Sequence, residues 1–345
     1  MTRPGTSVLI HAPNWLGDLV MSTVLLERCE AAGIRPHVLV RRRWRPLLEK
    51  DPRIAGIVDD ERPGRHAGLP GLVRLASDLR SGPVGYATVL VVPPSLRAAA
   101  VARLSGIPCR IGHSGDGRSA LLNPAVPRPV RGVRHYCDEI DDLWQIFQRT
   151  ESAVPMPRLA GCEPRDGIAP EGRTWALAVG ATYGSAKIWP AAVACEFVKL
   201  CRASGVRLLV LGDESARSHV REIQILDPHP WNHLSDASAG PVDMTGTTSL
   251  TEVVQVLNRV GVFVGNDSGL MHLAAALGTP TLGLFGSTNP DWTRPRGPRA
   301  EALVVEGFAC SPCHRRACNQ ARFCMETLTA DVVHGHALAL EEGKC

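Results

Sequence analysis

The chain has 345 residues, 44% of them hydrophobic and 21% charged, with a formal net charge of +4. That supply of apolar side chains suffices for two buried cores and excludes a disordered chain, and the length suits two domains. The mild basic excess fits an anionic substrate or an anionic membrane surface, and falls short of the concentrated basic face that nucleic-acid binding asks for.

In chain order, Val8-Leu9-Ile10 reads as a strand, an apolar run too short for the core of a secretory signal. No later run approaches the length of a membrane span. The chain is therefore expected in the cytoplasm, with a peripheral seat at the inner face of the cytoplasmic membrane left open. Residues 19–32 read as a helix and 37–40 as the next strand. The run Arg41-Arg42-Arg43-Trp44-Arg45 then suits either a solvated loop or helix start after a strand, or an anion-contacting edge. Residues 88–92 form another strand, closed by Pro93-Pro94. Continuous apolar runs of this length belong to strands buried on both faces, as in a parallel sheet.

Pro155, Pro157, Pro164 and Pro170 punctuate residues 151–173, which read as a linker between domains 1–165 and 166–345. Alternation then restarts, with strands over 175–179, 206–211, 261–264 and Thr281–Phe285. Helices are expected over Ala191–Ala203, 249–260, 270–277 and Ala330–Glu341. Strand–helix alternation gives an α/β doubly wound fold in each half. Ligands of such folds bind at the carboxyl ends of the strands, here in a cleft between the halves.

Three strand ends carry chemistry. Asn266-Asp267-Ser268-Gly269-Leu270-Met271-His272 passes from strand to helix through a polar turn. Free N–H groups and the helix dipole at such a place attract phosphate, Gly269 admits close approach and Ser268 donates a hydrogen bond. The same string also suits a plain N-cap by Asp267 or Ser268, with His272 as a packed helix residue. The second end, residues 180–190, holds Thr182, Ser185 and the single Lys187, which suits gripping a diphosphate and neutralising the charge that develops on it. Its spacing is not that of a Walker loop, and Lys187 as a surface lysine before a helix is the plainer alternative. The third end, His11-Ala12-Pro13-Asn14-Trp15-Leu16-Gly17-Asp18, lacks the Gly-x-Gly-x-x-Gly of nicotinamide enzymes. A carboxylate there can take a proton from a sugar hydroxyl, or simply favour the first turn of a helix.

On these residues the chain resembles the ADP-heptose:lipopolysaccharide heptosyltransferases, most of all the heptosyltransferase II branch. The resemblance rests on residues 14–22, on 95–99 and 106–112, on Ala186-Lys187-x-Trp189-Pro190, on 265–280 and on Leu284-Phe285-Gly286-Ser287-Thr288-Asn289-Pro290. It implies a GT-B architecture of two Rossmann-like domains and inverting transfer that requires no metal and no cofactor. It implies Asp18 as general base and Lys187 at the diphosphate. Thr182, Glu214, Asp267, Ser268, Gly269 and His272 would line the ADP-sugar, and Asn14 and Ser95 would meet the acceptor. Its partners would be ADP-heptose and the lipopolysaccharide inner core at the inner membrane surface. Pro94 stands where the family often has Asn, and Ile188 where it often has Arg.

Cys310, Cys313, Cys318 and Cys324 form a C-x2-C-x4-C-x5-C pattern that suits a structural zinc site or a loop of free thiols. Two rivals keep the fold: transfer from another nucleotide-sugar, and epimerisation of one. A third, a non-catalytic nucleic-acid binder, would use the cysteine knuckle with Arg315, Arg316 and Arg322.

Overall fold

The computed structural model describes residues 7–163, 173–180, 183–227, 229–231 and 240–343. Thr182 and residues 164–172 of the expected linker lie outside the described residues. The chain divides into two compact units, Met1–Cys162 and Glu163–Cys345.

The first unit runs β1 (Val8–His11), α1 (Leu16–Met21), α2 (Val24–Ala31), β2 (His37–Arg41), β3 (Gly56–Asp60), α3 (Gly68–Ser81), β4 (Thr88–Val91), α4 (Leu96–Leu104), β5 (Cys109–His113), β6 (Ala125–Val126) and α5 (Tyr136–Gln148). Its sheet is wholly parallel, in the order β3-β2-β1-β4-β5-β6. Residues 8–11, 88–91 and the middle of β2 are buried, as strands covered on both faces must be.

The helix expected over 19–32 is instead two helices. The Ser22 hydroxyl donates to the Leu19 carbonyl and the Thr23 hydroxyl to that of Val20, both at 2.7 Å. Side-chain bonds of this kind compete with the helical ladder and break it there. The described part of the expected linker is strapped to the first unit. Arg158 pairs with Glu27 and Glu30, its amide donates to the Thr23 hydroxyl, and Gly161 lies so close to Lys50 that a Cβ would sit 2.3 Å from the Lys50 oxygen.

The second unit runs β7 (Thr174–Ala178), α6 (Ala191–Ala203), β8 (Arg207–Val210), α7 (Arg217–Leu226), β9 (Val242–Asp243), α8 (Leu250–Leu257), β10 (Val262–Asn266), α9 (Gly269–Ala276), β11 (Thr281–Phe285), α10 (Pro290–Thr293), β12 (Ala300–Val304) and α11 (Ala330–Glu341). Its parallel sheet has the order β12-β11-β10-β7-β8-β9. Trp175, Trp189, Phe197, Val264 and Leu284 form its core. Helix α8 begins with a capping box between Ser249 and Glu252, which sets its start one residue later than the apolar pattern suggests.

In each unit the first strand has the second strand on one side and the fourth on the other, the doubly wound order of a Rossmann-like domain. The direction in which strands are added to the sheet reverses between β1 and β4, and again between β7 and β10. The loops after these strands diverge there and leave a crevice for ligand. No helix among the described residues is long and apolar enough to cross a membrane.

Candidate functional site

In the second unit the loop after β7 carries Lys187 and the loop after β10 carries Asp267. Adjacent strands end side by side, so the two residues meet at the switch point. The Lys187 ammonium donates to Asp267 Oδ2 at 2.7 Å and to the Asp267 carbonyl at 3.2 Å. Both side chains are largely withdrawn from water, at 14% and 7% exposure. An ammonium has three N–H groups, so one remains for a ligand oxygen. The Thr293 hydroxyl stands 3.4 Å from the same Oδ2, and His272 Nε2 lies 3.9 Å from Oδ1. Burial pushes the His272 imidazole down to about 4, against Asp267, which raises it, so the ring is neutral at neutral pH.

Asn266, read in the sequence as part of the phosphate-holding stretch, is a strut beneath it. It is fully buried, its side-chain Oδ1 accepts from the Trp189 backbone amide at 3.2 Å, and its side-chain Nδ2 donates to the Val179 carbonyl at 2.9 Å. One side chain thus ties the β7 loop to the end of β10.

Ser268 occupies the N-cap of α9 with extended backbone, yet its hydroxyl caps nothing. That Oγ is buried and has no hydrogen-bond partner among the described residues, as are Ser287 Oγ and Thr288 Oγ1 at the end of the neighbouring β11. A plain capped helix would have engaged Ser268. Instead, the open amides of α9 from Gly269 onward and three unengaged hydroxyls gather past the ends of β10 and β11, next to the strand whose loop carries Lys187, and such a set takes an anionic oxygen ligand. Ser287 and Thr288 drew no attention in the sequence as ligands; their place immediately after a buried strand was the available signal. Glu214 lies after β8 on a short 3-10 turn, largely exposed, with Arg217 at 3.0 Å.

The cysteine-rich segment abuts this site. The Tyr183 hydroxyl donates to the His314 carbonyl at 3.0 Å, the Ala186 amide to that of Arg316 at 3.0 Å, and the His314 amide to that of Ser287 at 2.7 Å. Cys310, Cys313, Cys318 and Cys324 are free thiols that line one small cavity with Ala186 and Ser287. Burial, then the other three thiols, pushes the Cys324 thiol up. Among the described residues no three His, Cys, Asp or Glu side chains are arranged to hold a metal ion.

In the first unit Asp18 is the third residue of α1, half-buried, near the end of β1. Burial and then the negative charge of Asp18 push the Tyr136 hydroxyl well up, so the two share one neighbourhood. Asn14 is held by the basic run: Arg43 and the Trp44 indole donate to its carbonyl at 3.1 and 2.9 Å, and Arg62 donates to its side-chain oxygen at 3.1 Å. The run opens a short 3-10 helix, Arg42–Leu47, directly after β2, with Arg42 and Arg43 exposed. Arg41 and Arg97 are both pushed below the usual guanidinium range, by burial first and then by Arg62, and buried Arg41 Nε has no partner among the described residues. This arginine cluster at the ends of β2 and β3 and the start of α4, which sequence reading did not assemble, encloses Asp60, paired with Arg62, and its remaining positive charge suits an anionic group. Ser95, after β4, caps α4 by accepting from the Ala98 amide at 3.2 Å, and the adjacent Pro94 carbonyl lies 3.4 Å from an Arg118 nitrogen.

Comparison with known proteins agrees with this reading. Residues 72–323, more than half of the chain, match the family described as glycosyltransferase family 9 (heptosyltransferase). Lipopolysaccharide heptosyltransferase 2 of Salmonella typhimurium is 29% identical over 328 residues, covering 87% of this chain and 89% of its own. Lipooligosaccharide heptosyltransferase 2 of Haemophilus influenzae is 27% identical over 321 residues, with the same coverage of 87% and 89%. Among solved structures, the E. coli ADP-heptose lipopolysaccharide heptosyltransferase II superposes with a TM-score of 0.76 at 23% identity, covering 98% of this chain and 99% of that one. The family 9 glycosyltransferase of Veillonella parvula reaches 0.82 at 18% identity, covering 99% of both. The architecture is accordingly GT-B, and the epimerase and nucleic-acid readings gain nothing from these matches. This chain belongs to glycosyltransferase family 9, the heptosyltransferases, and is a glycosyltransferase.

Proposed function

We propose that the chain transfers heptose from ADP-heptose to the lipopolysaccharide inner core, as a heptosyltransferase II. The observation that carries the donor half of this reading is the uncapped α9 N-terminus, with its buried, unengaged Ser268 hydroxyl beside the Lys187–Asp267 pair. The diphosphate sits against Gly269 and Ser268, with the third Lys187 N–H on a phosphate oxygen. Asp267 holds Lys187 in place, and neutral His272 forms the floor. Thr182 and Glu214 complete the nucleotide side.

In the first unit Asp18 takes the proton of the acceptor hydroxyl as its oxygen bonds to the anomeric carbon, while the bond from that carbon to the diphosphate breaks. The transition state has oxocarbenium character, and the charge gathering on departing ADP is met by Lys187 and the α9 dipole. Asn14 and Ser95 border the acceptor at the ends of β1 and β4. The arginines Arg41, Arg62 and Arg97 favour an acidic acceptor such as an inner-core saccharide, which the enzyme would meet at the inner membrane surface.

Calorimetric titration of ADP, UDP and their sugars tests the donor reading. ADP and ADP-heptose should bind and UDP should bind at least tenfold more weakly, the discrimination of about 1.4 kcal/mol that one base-specific hydrogen bond supplies. Equal or tighter binding of UDP-sugars would move the chain to another donor.

A further inference from the structure

We propose that Arg316, in the cysteine-rich segment, is a donor-binding residue that supplies the net positive charge of the diphosphate site; the inference rests on the donor reading above. The charges around Lys187 otherwise cancel. The Lys187 ammonium is paired with the Asp267 carboxylate at 2.7 Å, and burial keeps His272 neutral at neutral pH. Three hydroxyls and a helix N-terminus offer dipoles without a full charge, whereas the diphosphate of a nucleotide-sugar is multiply anionic. A further cation is needed.

Arg316 meets the requirement by position. Its carbonyl accepts from the Ala186 amide at 3.0 Å, and Gly184 passes so close that a Cβ there would stand 2.3 Å from the same oxygen. Its guanidinium carbon lies 5.5 Å from the centroid of the Tyr183 ring, and Lys187 Nζ lies 5.1 Å from that same centroid. Both cations therefore stand against one aromatic ring, each attracted by its quadrupole. Tyr183 is a positioning residue, anchored in turn to the His314 carbonyl.

The guanidinium of Arg316 is exposed and has no carboxylate partner among the described residues, unlike Arg217 and Arg294, which pair with Glu214 and Asp291. Arg315 and Arg322 are also without a carboxylate, but Arg315 is turned to Asn319 and Arg322 to the Phe308 ring, and neither stands against the Tyr183 ring that Lys187 shares with Arg316. A planar guanidinium suits the paired oxygens of a diphosphate. The cysteine-rich segment folds back against Ala186 and Ser287 around a shared cavity, and the Ala186 bond to the Arg316 carbonyl fixes the backbone that carries this arginine.

The test is calorimetric titration of ADP, with adenosine measured by competition, on the full chain and on Arg316→Ala, Arg316→Lys and Arg322→Ala. Arg316→Ala should weaken ADP roughly 10- to 100-fold, the scale of a lost hydrogen bond between charged groups, and leave adenosine within about twofold. Arg316→Lys should recover part of the loss, and Arg322→Ala should match the parent. The ADP loss should also shrink as salt is raised. If Arg316→Ala binds ADP like the parent, or weakens ADP and adenosine equally, the phosphate contact is overturned while the donor reading stands. If the parent itself binds no ADP, the donor reading falls and this inference with it.

Discussion

Replacing Lys187 by methionine keeps the aliphatic stem and removes the ammonium that faces Asp267 at 2.7 Å. The Asp267 carboxylate, 7% exposed, is then left with the Thr293 hydroxyl at 3.4 Å and the neutral His272 ring at 3.9 Å. Neither offsets a buried charge. Breaking one side of a buried ion pair costs roughly 3–5 kcal/mol, whereas removing both sides is often nearly neutral. For a unit of this size that corresponds to a fall in melting temperature of roughly 6–20 °C. Asp267→Asn should cost a similar amount by stranding the ammonium. The double variant should return to within about 1 kcal/mol of the parent, because no full charge is left behind. Urea unfolding of the four proteins measures this cycle, with sugar transfer followed in parallel. Stability should recover in the double variant while transfer stays lost, which separates the pair's structural role from its chemical one. Single variants as stable as the parent, or a double variant whose loss equals the sum of the singles, would refute the reasoning.

Three further outcomes are expected. His11, His113 and His272 are each pushed down to about 4, by burial before any other cause. The unfolded chain binds those protons first, so stability is complete above about pH 6.5 and falls as pH drops toward about 4, by up to roughly 1.4 kcal/mol per pH unit per histidine. Urea midpoints from pH 7 to 4.5 should show this, with a shallower slope in His272→Gln; a flat profile would contradict it. Asn266→Ala should cost about 2–5 kcal/mol, because it strands the Trp189 amide and the Val179 carbonyl, and should raise the KM for donor more than it lowers kcat. A fully stable variant with parental KM would remove the strut. Gly184→Ala drives a Cβ to 2.3 Å from the Arg316 oxygen, so it should free the cysteine-rich segment, seen as faster thiol labelling of Cys318 and weaker ADP binding. Unchanged labelling and affinity would show that the contact is not needed.

Much of this was readable beforehand, because the signals were local. Buried parallel strands announce themselves as continuous apolar runs, and β7, β10 and β11 fall where 175–179, 261–264 and 281–285 placed them, with β10 running on through Asn266. The pairing of Lys187 with Asp267 could be anticipated only through the fold, since 80 residues separate them. Breaks made by side-chain bonds are less visible: Ser22 and Thr23 sit inside an unbroken apolar period, and nothing in that period shows that their hydroxyls turn back on the helix. Weak strands such as β9, two residues long, carry no pattern of their own. The arginine cluster of Arg41, Arg62 and Arg97 comes from three separate segments and exists only once β2, β3 and α4 are assembled. Whether Ser268 caps its helix or keeps its hydroxyl for a ligand was likewise open in the string, and only the geometry distinguishes them.

The central claim is that the chain moves heptose from ADP to an inner-core acceptor, with Asp18 as base. The direct measurement is mass spectrometry of heptose-deficient lipopolysaccharide acceptor incubated with ADP-heptose and either the parent chain or Asp18→Asn, with ADP affinity measured on both. The account predicts that the parent adds a single heptose and releases ADP, while Asp18→Asn binds ADP normally and adds none. Heptose added at the parental rate by Asp18→Asn, or no heptose added by a parent chain that binds ADP, would contradict it.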